Sequence, residues 1–198
     1  MKITSYKISK YRNEFQVAKR KIESWRTCLD IGAHVGGCSL LYAKEFEKVY
    51  AFEPIEHIYQ KLKKNVELLD NVVVYNRAIS DFKGEVEIYE HQIKSELNTV
   101  YSDETDYWIN RPEFKKESTI KKNVACVKID DFNFKDVDFI KIDTERYVTP
   151  VIMGMKILLT TQSPVLQIEC PLPSIDSFLE GLGYKIFHKT PDDTYYSK

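Results

Sequence analysis

The stretch Cys28-Leu29-Asp30-Ile31-Gly32-Ala33-His34-Val35-Gly36-Gly37 reads as a ligand-binding turn. An apolar run ends in an acid and then turns sharply into a helix. The chain has only 7 glycines in 198 residues, about half the ~7% usual share, and three of them fall between 32 and 37. Glycine suits such a turn because it accepts φ > 0 and lets a ligand approach the backbone closely. The amides that open the following helix would face that ligand. In an open α/β sheet this loop lies at the C-terminal end of a strand, where ligands bind.

The spacing discriminates between ligands. A dinucleotide fingerprint is G-x-G-x-x-G, whereas this chain has Asp30-x-Gly32-Ala33-x-x-Gly36. An Asp two residues before the first glycine would set negative charge near a pyrophosphate, which is unfavourable. A cationic ligand fits better, and S-adenosylmethionine carries both an amino group and a sulfonium. A second strand, Val49-Tyr50-Ala51-Phe52-Glu53-Pro54, ends in an acid 23 residues after Asp30. A carboxylate there can accept both ribose hydroxyls in charge-assisted bonds. Sites for NAD use the same device, and an acid ahead of Pro54 could also serve only as a helix N-terminal charge.

Positioning these residues requires alternating strands and helices. Strands are expected at Arg26–Ile31, Lys48–Glu53, Asn71–Tyr75, Val137–Ile142 and Pro164–Glu169. Helices are expected at Ser39–Phe46, Pro54–Leu69, after Ile142 through Leu159, and at Ser174–Leu182, the last ended by Gly181 and Gly183. Glu85–Tyr89 alternates and is read as pairing with the third strand or extending it. Tyr184–His188 and Thr194–Ser197 are expected to form a terminal antiparallel pair. This rhythm predicts an α/β fold, a Rossmann-like doubly wound and mainly parallel sheet with a C-terminal hairpin. Residues 91–123 break the rhythm and read as a polar insert or lid.

Composition narrows the function classes. Lys and Arg total 29, Asp and Glu 30, so the net charge of −1 gives no global reason to bind nucleic acid or anionic lipid. Residues 1–26 hold eight basic and two acidic residues. This arm, bounded at about 1–25, could touch a phosphate-bearing substrate, or be a solvated helix with Phe15, Ala18 and Ile22 facing inward. No run approaches the ~18 apolar residues of a membrane span, and the N-terminus lacks a signal-peptide core. Cys28, Cys38, Cys126 and Cys170 form no C-x-x-C pair and are expected to be buried thiols in a reducing compartment. The expected location is the cytoplasm. His57, His91 and His188 have no zinc-like spacing.

The motifs together resemble the class I S-adenosylmethionine-dependent methyltransferases, and within them the FkbM family, over about residues 26–190. Leu29–Gly36 is similar to that family's first motif, and Ala51-Phe52-Glu53-Pro54 to its ribose-binding motif. Asn76–Asp81 with Gly84-Glu85-Val86 resembles the segment that usually holds adenine. Val127–Phe132 followed by Asp138-Phe139-Ile140-Lys141-Ile142-Asp143-Thr144-Glu145 resembles its most diagnostic stretch, and Gly183–Phe187 its C-terminal hairpin. The resemblance implies a methyltransferase domain over 26–198 with S-adenosylmethionine as cofactor. It implies cofactor contacts at Asp30, Gly32, Ala33, His34, Gly36, Glu53, Pro54, Ala78, Ile79 and Asp143. The implied reaction is O-methylation of a small polyhydroxylated, saccharide-like acceptor; no membrane partner is expected, and the charge balance argues against nucleic acid.

Asp143 is the first candidate for a general base or acceptor-orienting group, with helix capping as its bland alternative. Glu145 and Glu169 are the further catalytic candidates. These three carboxylates could also hold Mg²⁺ or Ca²⁺, but carboxylates serve without a metal and none is expected. Asp130 and Asp131 read as turn residues. Tyr101, Tyr107 and Trp108 could form an aromatic platform or a local hydrophobic anchor. Two other functions remain open. One is a nucleic-acid ribose methyltransferase using the basic arm. The other is a cofactor-binding module without catalysis, suggested by Arg146 where the family usually has Gly, Val148 where it has an acid, and Pro150 within the next helix.

Overall fold

The computed structural model describes residues 5–91, 98–100 and 119–198. Its frame is a seven-stranded sheet. In sheet order the strands are β10 (Lys185–Lys189), β11 (Asp193–Ser197), β9 (Val165–Glu169), β8 (Val137–Ile142), β1 (Thr27–Ile31), β2 (Lys48–Phe52) and β3 (Val72–Tyr75). The pairs β3–β2, β2–β1, β1–β8 and β8–β9 are parallel; β11 runs antiparallel to both β9 and β10. This is the expected doubly wound sheet with its terminal hairpin. Every residue of β1 is buried, as the central strand of a sheet covered on both faces must be.

The flanking helices are α1 (Ser5–Lys19), α2 (Ser39–Tyr42), α3 (Glu56–Asn65), α4 (Val148–Met153), α5 (Lys156–Thr161) and α6 (Pro173–Gly181). α3 buries Ile58 and Leu62, four apart, on its inner face. The helix expected from Ser39 to Phe46 is one turn of α-helix followed by turns. The helix expected after Ile142 is two short ones, divided at Gly154 and Met155. Asp130, read as a turn residue, accepts the Ile157 and Leu158 amides at 3.0 Å each and so caps α5 from across the chain. Pro150 fits its helix because it is the third residue of α4, in the first turn, where an amide has no intrahelical acceptor.

Glu85–Tyr89 does not join the third strand. It lies within β5 (Gly84–His91), in a second sheet of order β4 (Ala78–Ile79), β7 (Thr119–Val127), β5 and β6 (Thr99–Val100). Its alternation was legible, but its partner, more than thirty residues downstream, was not. Of the expected insert, His91, Thr99–Val100 and residues 119–123 are strand. Asn98 is in no strand, and the remainder, including Tyr101, Tyr107 and Trp108, lies outside the described residues.

α1 packs through Phe15 and Ala18, followed by Ile22, all buried. Phe15 meets Tyr42 edge-on at 4.8 Å between centroids and lies 5.7 Å from Phe139 of β8. Trp25 and Phe46 complete this aromatic layer. Cys28, Cys38 and Cys126 are buried free thiols, but Cys170 is exposed. Its position just past the end of β9 puts it in a turn rather than in the apolar strand that precedes it. Among the described residues no helix is long and apolar enough to cross a membrane.

Candidate functional site

Strand order reverses between β1 and its neighbours β2 and β8, which leaves a crevice beyond their C-terminal ends. A cavity of about 390 Å³ opens there, within the ~300–1,000 Å³ of typical ligand sites.

One end is built by backbone. After β1 the chain turns at Gly32, with φ 81°. A Cβ at Gly32 would enter the carbonyl oxygen of Asp143, so the close approach of the β1 and β8 ends also demands glycine. The Gly32 and Ala33 amides donate to the Phe52 carbonyl at 3.1 and 3.0 Å, and Gly36 closes the turn onto Ala33 at 2.9 Å. Glu53, past the end of β2, is only 5% exposed. Its carboxylate accepts the His34 amide at 3.0 Å and the Ile55 amide at 2.9 Å. Burial pushes Glu53 up to about 7, against the pull of those two bonds. Phe52, Pro54, Ala78, Ile79 and Val100 supply apolar walls beside it.

The other end is built by charge. Asp143, Glu145 and Glu169 all face the cavity, with carboxylate oxygens within 4.8 Å of one another. Lys141 is buried and places its Nζ 2.6 Å from Asp143 Oδ2. Burial alone would raise Asp143; the Lys141 ammonium, with a hydrogen bond from Glu169, holds it below the ordinary carboxylate range. Glu169 moves the other way. Burial, and then the neighbouring Asp143 charge, push it up to about 10. The pair therefore keeps one proton between two acids near neutral pH, with Asp143 the ionised member. The loop between them and α4 is tied down by Tyr147, whose hydroxyl meets Ser80 Oγ at 2.8 Å.

Of the residues expected to hold a cofactor, Gly32, His34, Glu53, Pro54, Ala78, Ile79 and Asp143 line the cavity. Asp30, Ala33 and Gly36 do not. Asp30 is fully buried and accepts the Ser39 hydroxyl at 2.6 Å, at the start of α2. It sits opposite Lys141 in the β1–β8 register. From beneath the turn it supports the start of α2 rather than lining the cavity. Burial raises its pKa, which Lys141 and Ser39 oppose. Ala33 and Gly36 shape the turn through their backbone.

Arg146, where the resembled family usually has glycine, has φ 75°. The backbone keeps the left-handed conformation that favours glycine although the side chain is not glycine. Glu145 beside it has φ 47°. Val148, in place of an acid, is a buried core residue of α4.

Lys10 and Tyr11 of α1 also line the cavity, and sequence reading missed both. Beyond the basic charge of the arm, the signal for them was Gly37. Its absent side chain leaves room for the Tyr11 ring, whose Cε2 would lie 2.6 Å from a Cβ there.

The donor set fits S-adenosylmethionine. Glu53 can receive a ribose diol, the apolar walls an adenine, and the acids the positive charges of the methionine portion. The family model described as "Methyltransferase FkbM domain" matches residues 30–186. No curated protein sequence matches the chain. The structure of the methyltransferase FkbM from Methylobacillus flagellatus KT aligns with a TM-score of 0.59 at 17% identity, covering 88% of this chain and 44% of that one. The chain thus spans less than half the length of that protein. A human methyltransferase 10 domain containing protein aligns at 0.53 and 14% identity, over 99% and 81% of the two chains. Precorrin-6y C5,15-methyltransferase from Geobacter metallireducens GS-15 aligns at 0.51 and 14%, over 91% and 84%. At such identities the likeness is one of fold, and the fold is that of the class I methyltransferases.

Proposed function

The chain belongs to the FkbM methyltransferase family, and on that premise we propose that it transfers methyl from S-adenosylmethionine to a hydroxyl of a small, saccharide-like acceptor. The observation that carries this reading is the polarity of one cavity. Glu53, held by two amides, lies toward one end, and the unequally charged Asp143–Glu169 pair lies at the other.

When bound, S-adenosylmethionine supplies an electrophilic methyl on a cationic sulfur. The chain's own residues supply alignment and proton handling. Glu53 accepts the ribose hydroxyls, and the Gly32 turn keeps the backbone out of the ligand's way. Asp143 accepts the proton that an acceptor hydroxyl loses as its oxygen takes the methyl. Lys141 keeps Asp143 ionised for that task. Glu169, protonated near neutral pH, donates that proton's hydrogen bond to Asp143 and offers its other oxygen to orient an acceptor hydroxyl. Three carboxyl groups at this end disfavour a phosphate-bearing acceptor, which supports a small neutral one over nucleic acid.

Titration calorimetry with S-adenosylmethionine and with NAD tests the donor: binding of the first and not the second is expected, and the reverse overturns the reading. Labelled methyl transfer to a panel of saccharides and to RNA tests the acceptor. Incorporation into sugar hydroxyls, lost in Asp143→Asn, is the expected result. Incorporation into RNA alone would replace the acceptor proposed here.

A further inference from the structure

α1 lies outside the family match, which begins at residue 30, yet two of its residues face the cavity. Sheet order fixes which end they face. Glu53 follows β2, and adenine-side Ala78–Ile79 lies farther out in the second sheet. From the ribose position, β1, β8 and β9 lead the opposite way, to Asp143 and Glu169. Lys10 is anchored at that far side: its Nζ lies 2.9 Å from Asp192, which precedes Asp193, the register partner of Glu169. A second carboxylate, Glu14, is 3.5 Å away, and 44% of the Lys10 side chain stays exposed. Tyr11 seats its ring against Gly37 at the cofactor turn. The helix is held rigidly by Phe15 in the aromatic layer and by the Tyr195 hydroxyl, which donates to the Glu14 carbonyl at 3.3 Å.

The acids at this end suit an ammonium and a sulfonium, but they repel a carboxylate. The methionine portion of the donor carries all three groups. Among the described residues lining this end, Lys10 is the cation, and an ammonium offers three donors. We propose that α1 closes the cavity opposite the adenine, with the Lys10 ammonium receiving the carboxylate of the donor's methionine portion and the Tyr11 ring walling it in. This rests on the reading of the cavity as an S-adenosylmethionine site.

Two nucleosides separate the possibilities: S-adenosylhomocysteine, which keeps the amino-acid end, and 5′-methylthioadenosine, which lacks it. Calorimetry on the full chain should show Lys10→Met weakening S-adenosylhomocysteine about tenfold, the scale of one charge-assisted contact. Its affinity for 5′-methylthioadenosine should be unchanged. Lys10→Arg should restore most of the loss, and Tyr11→Leu should repeat the selective weakening. Equal losses for both nucleosides, or no loss, overturn the proposal while the cofactor site stands. Failure of the unmodified chain to bind either nucleoside overturns the cofactor reading, and this proposal with it.

Discussion

The two ends of the cavity are made differently. Around Gly32 and Glu53, contacts run through the backbone, between positions close to the C-terminal ends of β1 and β2. Around Asp143 and Glu169, side chains from β8, β9, α1 and the terminal hairpin meet across long sequence distances, and charge decides the arrangement. The first end is fixed by short hydrogen bonds between residues that paired strand ends bring together. The second is sensitive because each of its groups sets the ionisation of the next.

Lys141→Met should have the largest effect, a loss of about 3–5 kcal/mol of stability, because it leaves buried acids without their cation. Denaturant unfolding measures it, and a near-neutral result would show that charge does not organise this end. Gly32→Ala should cost about 2–4 kcal/mol through left-handed strain and collision with Asp143. A smaller loss would mean that the β1 and β8 ends can separate.

Glu53→Ala should weaken S-adenosylmethionine binding by about 1–3 kcal/mol. The sign of its pH dependence follows from burial. The folded protein without ligand holds the Glu53 proton up to about 7, above the 4.5 of an ordinary glutamate. Only the ionised form accepts both ribose hydroxyls, so affinity should rise as pH passes upward through about 7 and then level off. Glu53 without its ligand correspondingly costs stability as pH rises from 4.5 toward 7, since the folded state holds the proton that the unfolded state has lost. Titrations with Glu53→Gln should be flat across this range, and a persisting step would assign it to another group.

Arg146→Gly should have the smallest effect and the opposite sign, stabilising by about 0.5–1 kcal/mol as the strain at φ 75° is relieved. A thermal melt reads this directly, and a destabilised variant would show that contacts of the Arg146 side chain outweigh the strain.

Much of the backbone-built end was legible in the sequence. Gly32, Glu53 and the strand ends that carry them are local signals, because a turn must be encoded by the residues that make it. Asp30 shows the limit: its type and spacing suggested a ligand contact, but side-chain direction at the buried centre of a sheet turns it toward Ser39. Asp143, Glu145 and Glu169 were identifiable as acids at strand ends. Their unequal protonation was not, because it depends on Lys141 and on a neighbour more than twenty residues away.

The sequence by itself determined the main parallel strands, the glycine turn after the first of them and the acids at the strand ends, since these rest on periodicity, glycine and local capping. Only the tertiary structure decided that β5 pairs with β7, that Asp30 lies beneath the turn and outside the cavity lining, and that Lys10 and Tyr11 belong to the cavity. Those outcomes depend on which buried surfaces meet and on how burial weighs one charge against another, and neither is written in any short stretch of chain.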